Sequence, residues 1–415
     1  MAKLLIVADD FTGGLDTGVH FASRGITTRV VTDPSGDLDT MAEGCQVLVV
    51  VSDTRHMTPG HAYLTVYDIV SRGKRSGIPC IYKKTDSALR GNIGAELSAA
   101  LRASGETALP FLPALPQAGR ITVDGVHLID GVPVAESVFG RDPFEPVTVS
   151  DVCGIIALQS DVKTQSVKPD ALPEAEGILV IDAQSDGDID QAGRALYESG
   201  RLRVCAGCAG FAAVLPDLLG LSVTNDAPAP GLDGGLLVLC GSVNPITQAQ
   251  LTVAESSGFK RIHITPEQKL DPGCFDTKAG KAVMEDFREA VLTEPFLILD
   301  ANDPDNSNTE TRDYADRHHL TTDMVRRGIS DALGRILKAL IALPARHTML
   351  ITGGDTLLAC MRALSVSRME PIAEVFPGVV MAKFEFDGVE RRVITKSGGF
   401  GKETLLRDLK DICTA

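Results

Sequence analysis

A chain of 415 residues is too long for one ordinary hydrophobic core, so two domains are expected. Its 44% hydrophobic and 23% charged residues suit a soluble globular protein, and no run of eighteen apolar residues offers a membrane span. A formal net charge of -15, few aromatics and no tryptophan argue against a nucleic-acid partner, whose phosphates repel an acidic surface and whose bases need exposed rings.

The N-terminus runs straight into a strand-like segment, without the basic region or cleavage site of a signal peptide. LLIVADD (4–10), TTRVVTD (27–33), QVLVVVSDT (46–54) and PCIYKKTDS (79–87) read as buried strands. Their hydrophobicity is continuous rather than alternating, as in parallel sheets covered on both faces. Helix-compatible segments at 12–24 and 59–73 lie between them, which makes a βαβ series. Residues 120–135 break the pattern: Asp124-Gly125 and Asp130-Gly131 are hairpin-type turn pairs, so a β-hairpin arm is expected on the first domain. Strands at 177–183 and 201–207 follow. The stretch 222–235, rich in Pro, Gly and Asp, has linker composition. A second series then begins, with strands at 235–242, 261–265, 296–302 and 348–355. Between the last two, Met324, Leu333, Ile336, Leu337, Leu340 and Ile341 keep the spacing of one buried helical stripe. The expected fold is α/β: two doubly wound domains with mostly parallel sheets, and the arm on the first.

Nine cysteines, an odd number set mostly in apolar runs, read as reduced core thiols of a cytoplasmic protein. Cys205 and Cys208 form a CxxC without a second pair, so structural zinc or redox chemistry is the minor reading there. His318 and His319 lie in a polar stretch and read as solvated, and no histidine pair has metal-ligand spacing.

Open α/β sheets bind ligands at the carboxyl ends of their strands. The strand ends of the first half carry Asp9, Asp10, Arg55, Lys83, Lys84, Asp86 and Arg90. Arginine and lysine grip a carboxylate or phosphate, while aspartate accepts from, or deprotonates, a hydroxyl. That combination suits a polyhydroxy acid. Asp10 or Asp86 taken singly is as readily a helix cap, but caps do not account for Arg55 and Lys84. In the second half three strand–turn–helix segments offer phosphate sites. They are Ser242 with its following turn, Gly353-Gly354, and Gly398-Gly399-Phe400-Gly401. No GxxxxGK[ST] and no GxGxxG after a strand is present, which sets aside the familiar P-loop and weakens a dinucleotide reading.

These motifs, in this order, resemble the four-carbon acid sugar kinase family. The likeness rests on ADDFTGGLDTG (8–18), KKTDSALRGN (83–92), the block at 113–147, TGGDTLLACMRAL (352–364) and TKSGGFG (395–401). GCAGFA (207–212) and GSVNPITQAQL (241–251) also fit, so it covers nearly the whole chain. Phe11, where the family often has leucine, and Ala88, where it often has threonine, depart from the pattern without removing a charge. The resemblance implies a two-domain kinase: residues 1–221 hold the acid, 222–235 link and hinge, and 236–415 hold ATP, with Mg2+ arriving on the nucleotide. A threonate, erythronate or 3-oxo-tetronate would be phosphorylated on its terminal hydroxyl. By motif, Asp10, Arg55, Lys83, Lys84, Thr85, Asp86 and Ser87 are implied as acid contacts. Ser242, Gly353, Gly354, Asp355, Thr356 and Gly398 are implied as ATP contacts, with Gly399 beside them. One of Asp9 and Asp10 would orient or deprotonate the attacking hydroxyl while the other caps the helix or holds the substrate. Lys84 would help to neutralise the transferred group. The rivals are an NAD-dependent hydroxy-acid oxidoreductase and a sugar-acid-binding protein without chemistry. Neither a nucleic acid nor a membrane is expected as partner. Oligomeric state is open, a homodimer being the commonest closed assembly.

Overall fold

The computed structural model describes residues 2–142, 145–221, 223, 231–232, 234–345, 347–397 and 399–414. The chain divides into two compact units, Met1–Pro228 and Ala229–Ala415. Most of the linker expected at 222–235 lies outside the described residues.

The first unit contains β1 (Leu4–Ala8), β2 (Thr28–Val31), β3 (Val47–Val51), β4 (Cys80–Lys84) and β5 (Ala108–Leu112). After them come β6 (Arg120–Val123), β7 (Val126–Ile129), β8 (Val132–Pro133), β9 (Thr164–Val167), β10 (Gly177–Ile181) and β11 (Val204–Gly207). Eight of these strands form a parallel sheet in the order β2-β3-β1-β4-β11-β5-β10-β9. Every residue of β1, β3, β4 and β10 is buried, as strands packed on both faces must be. From β1 the chain moves to β2 and β3 on one side, then crosses to β4 on the other. The carboxyl end of β1 is therefore a topological switch point, where neighbouring connections diverge and leave a crevice.

The arm is the antiparallel sheet β6-β7-β8. Asp124, Gly125, Asp130 and Gly131 all have positive φ, as two-residue hairpin turns of matching twist require. The first turn is fixed to the body of the unit: Asp182 accepts from the backbone N–H groups of Asp124 and Gly125 at 2.8 and 3.0 Å.

The second unit contains β12 (Gly235–Cys240), β13 (Lys260–His263), β14 (Phe296–Asp300) and β15 (His347–Thr352), then β16 (Arg368–Phe376), β17 (Val379–Phe386) and β18 (Val389–Lys396). Their order is β13-β14-β12-β15-β18-β17-β16, parallel from β13 through β18 and antiparallel beyond. The chain leaves β12 towards β13 and β14 and returns to β15 on the opposite side, so β12 ends at a second switch point. Leu236, Val238, Leu251, Ile298, Leu350, Met381, Ile394 and Leu409 belong to this unit's core.

The α/β class, the parallel sheets and the arm agree with the sequence reading, but four strands were not anticipated. β5 and β16 carry Pro110 and Pro371, residues that argue against a strand, and β16 shifts register between Pro371 and Ala373. β9 reads TQSV, mostly polar, and lies at the edge of its sheet. β17 reads VVMAKFEF and lies one turn beyond β16 in an antiparallel pair outside the βαβ rhythm. Met324 also departs from the expected stripe. It is 50% exposed in the first turn of the helix Thr322–Leu340, whose buried face begins at Ser330. The nine cysteines are all free thiols. Among the described residues no helix is long and apolar enough to cross a membrane.

Candidate active site

The end of β1 delivers Asp9 and Asp10. Asp10 is the N-cap of the helix Phe11–Ala22, with extended backbone and with Oδ1 accepting from the Gly13 N–H at 3.1 Å. Arg55, four residues past β3, reaches both carboxylates. Its Nε and Nη2 meet Asp9 Oδ2 at 2.8 and 2.6 Å, and Nη2 meets Asp10 Oδ1 at 2.8 Å. Asp86, past β4, lies 3.5 Å from the same Nη2 and is itself forked by Arg90, whose Nε and Nη2 donate to its two oxygens at 3.0 Å each. The three carboxylates differ in access: the Asp9 and Asp86 side chains are 4% and 8% exposed, Asp10 20%.

Lys84 ends β4, buried, with Nζ donating to Thr85 O at 2.8 Å. A Cβ added at Gly13 would stand 2.4 Å from Asp10 Oδ1 and 2.8 Å from Lys84 Nζ. Only glycine lets the helix start so close to both charges. The preceding lysine, Lys83, is wholly buried, with Nζ 2.8 Å from Glu96 Oε2. Thr85 is buried with its hydroxyl unpartnered among the described residues, and so is Asp9 Oδ1.

Burial pushes the Asp9 carboxyl up, but Arg55, Lys84 and Lys83 outweigh it and hold the group below its ordinary value. For Asp10 burial dominates over Arg55, and the charge of Asp9 adds to it, so this carboxyl is raised. Asp86, opposed by burial, is nevertheless held well below the usual carboxylate range by Arg90 and Arg55. Neighbouring carboxylates are thus driven apart in acidity, the arrangement that gives one of them base character.

The arm frames this cluster. His127 of β7 is fully buried, its Nε2 donating to Ser87 O at 2.9 Å, and burial pulls it down to about 4. Arg120 donates to the Ser87 hydroxyl. Arg90 and Arg120 both lie over the Phe139 ring, at 5.2 and 5.3 Å from its centroid. Asn92 donates to Thr54 O and Met57 O at 2.8 and 2.9 Å, fixing the loop that carries Arg55. His56, next to Arg55, pairs with Glu145 at 2.9 Å. Sequence reasoning assigned no role to Glu96, His127, Arg120 or Asn92. Asn92 closes the quoted KKTDSALRGN stretch, which was the one available signal.

In the second unit, strand pairing sets Cys240 opposite Thr352, bringing the turn at Gly241-Ser242 beside that at Gly353-Gly354. A Cβ at Gly241 would meet Thr356 Oγ1 at 2.3 Å. Gly353 has φ of +93° and donates its N–H to Lys396 O at 3.0 Å. The loop after β18 is drawn in by Gln250, whose Nε2 donates to Phe400 O and Lys402 O at 3.1 and 2.9 Å. A Cβ at Gly399 would lie 3.9 Å from Asn244 Nδ2. Asp355 pairs with Arg326 at 2.6 Å, and Gly398 lies outside the described residues. Asn302, past β14 and given no role in the sequence reading, donates to Ser242 O at 3.1 Å and to Asp300 Oδ1 at 2.8 Å. Asp300 in turn binds Arg261, so the ends of β12, β13 and β14 are tied together. Among the described residues no group of three His, Cys, Asp or Glu is placed to hold a metal ion.

Residues 4–215 match the model of a sugar-binding N-terminal domain, and residues 237–406 that of a nucleotide-binding C-terminal domain. This chain belongs to the four-carbon acid sugar kinase family. A D-threonate kinase of Salmonella typhimurium is 30% identical over 98% of this chain and 97% of its own. A D-erythronate kinase of Heliobacterium modesticaldum is 26% identical over 96% and 94%. A solved Salmonella typhimurium structure superposes with a TM-score of 0.78 over 99% of each chain at 20% identity, a likeness of fold. The two matched segments of the acid sugar kinase family each contain one of the two switch points.

Proposed function

We propose that the chain is an ATP-dependent kinase that phosphorylates the terminal hydroxyl of a four-carbon sugar acid of the threonate or erythronate type. The observation that carries the reading is the Asp9–Asp10–Arg55–Asp86 cluster, in which one accessible carboxylate is raised while its neighbours are lowered. In this reading residues 1–221 bind the acid and 236–415 the nucleotide.

Asp10 is the general base. Its Oδ1 is committed to Gly13 and Arg55, which leaves Oδ2 outside these contacts to take the proton of the attacking hydroxyl. Asp9 holds Arg55 rather than the substrate. Arg90, Lys84, Thr85 and Ser87 receive the acid's carboxylate and hydroxyls, while Lys83, buried on Glu96, supports the floor beneath them. The turns at Ser242, Gly353, Gly354 and Thr356, with Gly398 and Gly399, bind the triphosphate through backbone N–H groups. Magnesium would be held by the nucleotide's phosphates with one or two protein carboxylates, and when bound would supply charge neutralisation to a transfer that depends mainly on positioning.

The test is ADP release from Mg-ATP by purified protein across D- and L-threonate, D- and L-erythronate and their 3-oxo forms. Strong stimulation by one acid is expected. Silence across the panel together with no ATP binding would sink the kinase reading.

A further inference from the structure

Lys396 ends β18 and is 1% exposed. Its Nζ donates to Thr247 Oγ1 at 2.9 Å and to Ser397 O at 3.1 Å. Thr247 stands in the first turn of the 12-residue helix Pro245–Ser256 and also accepts from Ser242 Oγ at 3.4 Å. The ammonium group therefore lies at the positive end of a helix and out of water. Each condition disfavours a cation, and an arriving anion relieves both. On its other side the backbone of Lys396 is joined to the second phosphate turn, since Thr352 is its register partner and Gly353 N–H donates to its carbonyl.

We propose that Lys396 is the cation that receives the nucleotide's phosphates, reaching beneath the turn at Gly353 to the helix start behind Ser242. The assignment rests on the nucleotide reading of this unit and adds to it a charged side chain; the turns otherwise offer backbone N–H groups and hydroxyls. Burial draws the Lys396 ammonium down to about 8. Among the described residues the Cys240 thiol faces it, pushed up to about 12 and so uncharged; beyond that thiol Asp300 is engaged by Arg261. A bound polyphosphate holds the proton on Lys396, so nucleotide affinity falls as pH rises past about 8 in the free protein.

Isothermal titration with ATP, ADP and adenosine, on wild-type protein and Lys396→Met at pH 7.5 and 9.5, tests this. Lys396→Met should weaken ATP and ADP by roughly 10- to 100-fold at pH 7.5 and leave adenosine unchanged, because only the phosphates meet the ammonium. Wild-type affinity for ATP should fall by about tenfold or more between the two pH values, and the variant's should not. Should Lys396→Met fail to fold, the wild-type pH dependence decides alone. ATP binding by the variant within about twofold of wild type, or a wild-type affinity flat across this range, overturns the inference and leaves the nucleotide site standing. Wild-type protein that binds no nucleotide at all overturns the inference together with the reading beneath it.

Discussion

At Asp10 one carboxylate serves as helix cap and as proposed base, and its two oxygens divide the work. Asp10→Asn keeps an acceptor for the Gly13 N–H, so the variant should fold with a near wild-type melting temperature. Turnover should nonetheless fall by roughly 10²- to 10⁴-fold, as ADP release at saturating substrates would report. Because the base acts deprotonated and its carboxyl is raised, kcat/KM should decline on the acid side at a pH above the ordinary aspartate value. An acid limb at the ordinary value would count against Asp10. Arg55→Ala leaves Asp9 and Asp10 buried against each other without their shared cation; about 3–5 kcal/mol of stability should be lost, measurable by urea unfolding. The charged strand ends were legible in the sequence because a polar residue closing an apolar run is conspicuous. Glu96 and His127 were not. Which residue of the helix Ile93–Ser104 faces Lys83, and which of the arm faces Ser87, depends on rotations that no local pattern encodes.

Among the elements, strands buried on both faces announced themselves by continuous hydrophobicity, and two hairpin turns by their Asp-Gly pairs. The polar edge strand β9 lacked such a signature; the antiparallel extension has one in Asp387-Gly388, both at positive φ between β17 and β18, which the sequence reading passed over, and proline inside β5 and β16 pointed the other way. The arm ties into the loop of Asp86 through a buried neutral histidine, which gives it a pH signature of its own. His127 lies near 4 in the fold against an ordinary 6.5. The unfolded chain therefore binds more protons between these values, and stability should be lost as pH falls from about 6.5 towards about 4. His127→Gln, which retains a donor for Ser87 O, should flatten that slope in thermal melts recorded from pH 4 to 7. An unchanged slope would place the acid sensitivity elsewhere. Gly13→Ala should lower kcat or raise KM for the acid by tenfold or more, since the new methyl group displaces the Asp10 carboxylate or the Lys84 ammonium.

On the scale of the whole molecule, two units repeat one plan: a mostly parallel sheet whose first strand ends at a switch point, with polar residues from its neighbours closing round it. In the proposed reading Asp10→Asn should leave ATP affinity within about twofold of wild type in a direct binding assay, because the partners of Asp10, Gly13 and Arg55, belong to its own unit. Chelation of magnesium should abolish turnover while binding of the acid persists. Each crevice draws its side chains from the strand ends of its own half. In the proposed reading, mutations that retune the acid are expected at the ends of β1, β3 and β4 and on the arm, apart from the residues proposed to grip the phosphate donor. In that reading the chain is inherited as two separately editable texts, and a new acid needs revision of only the first.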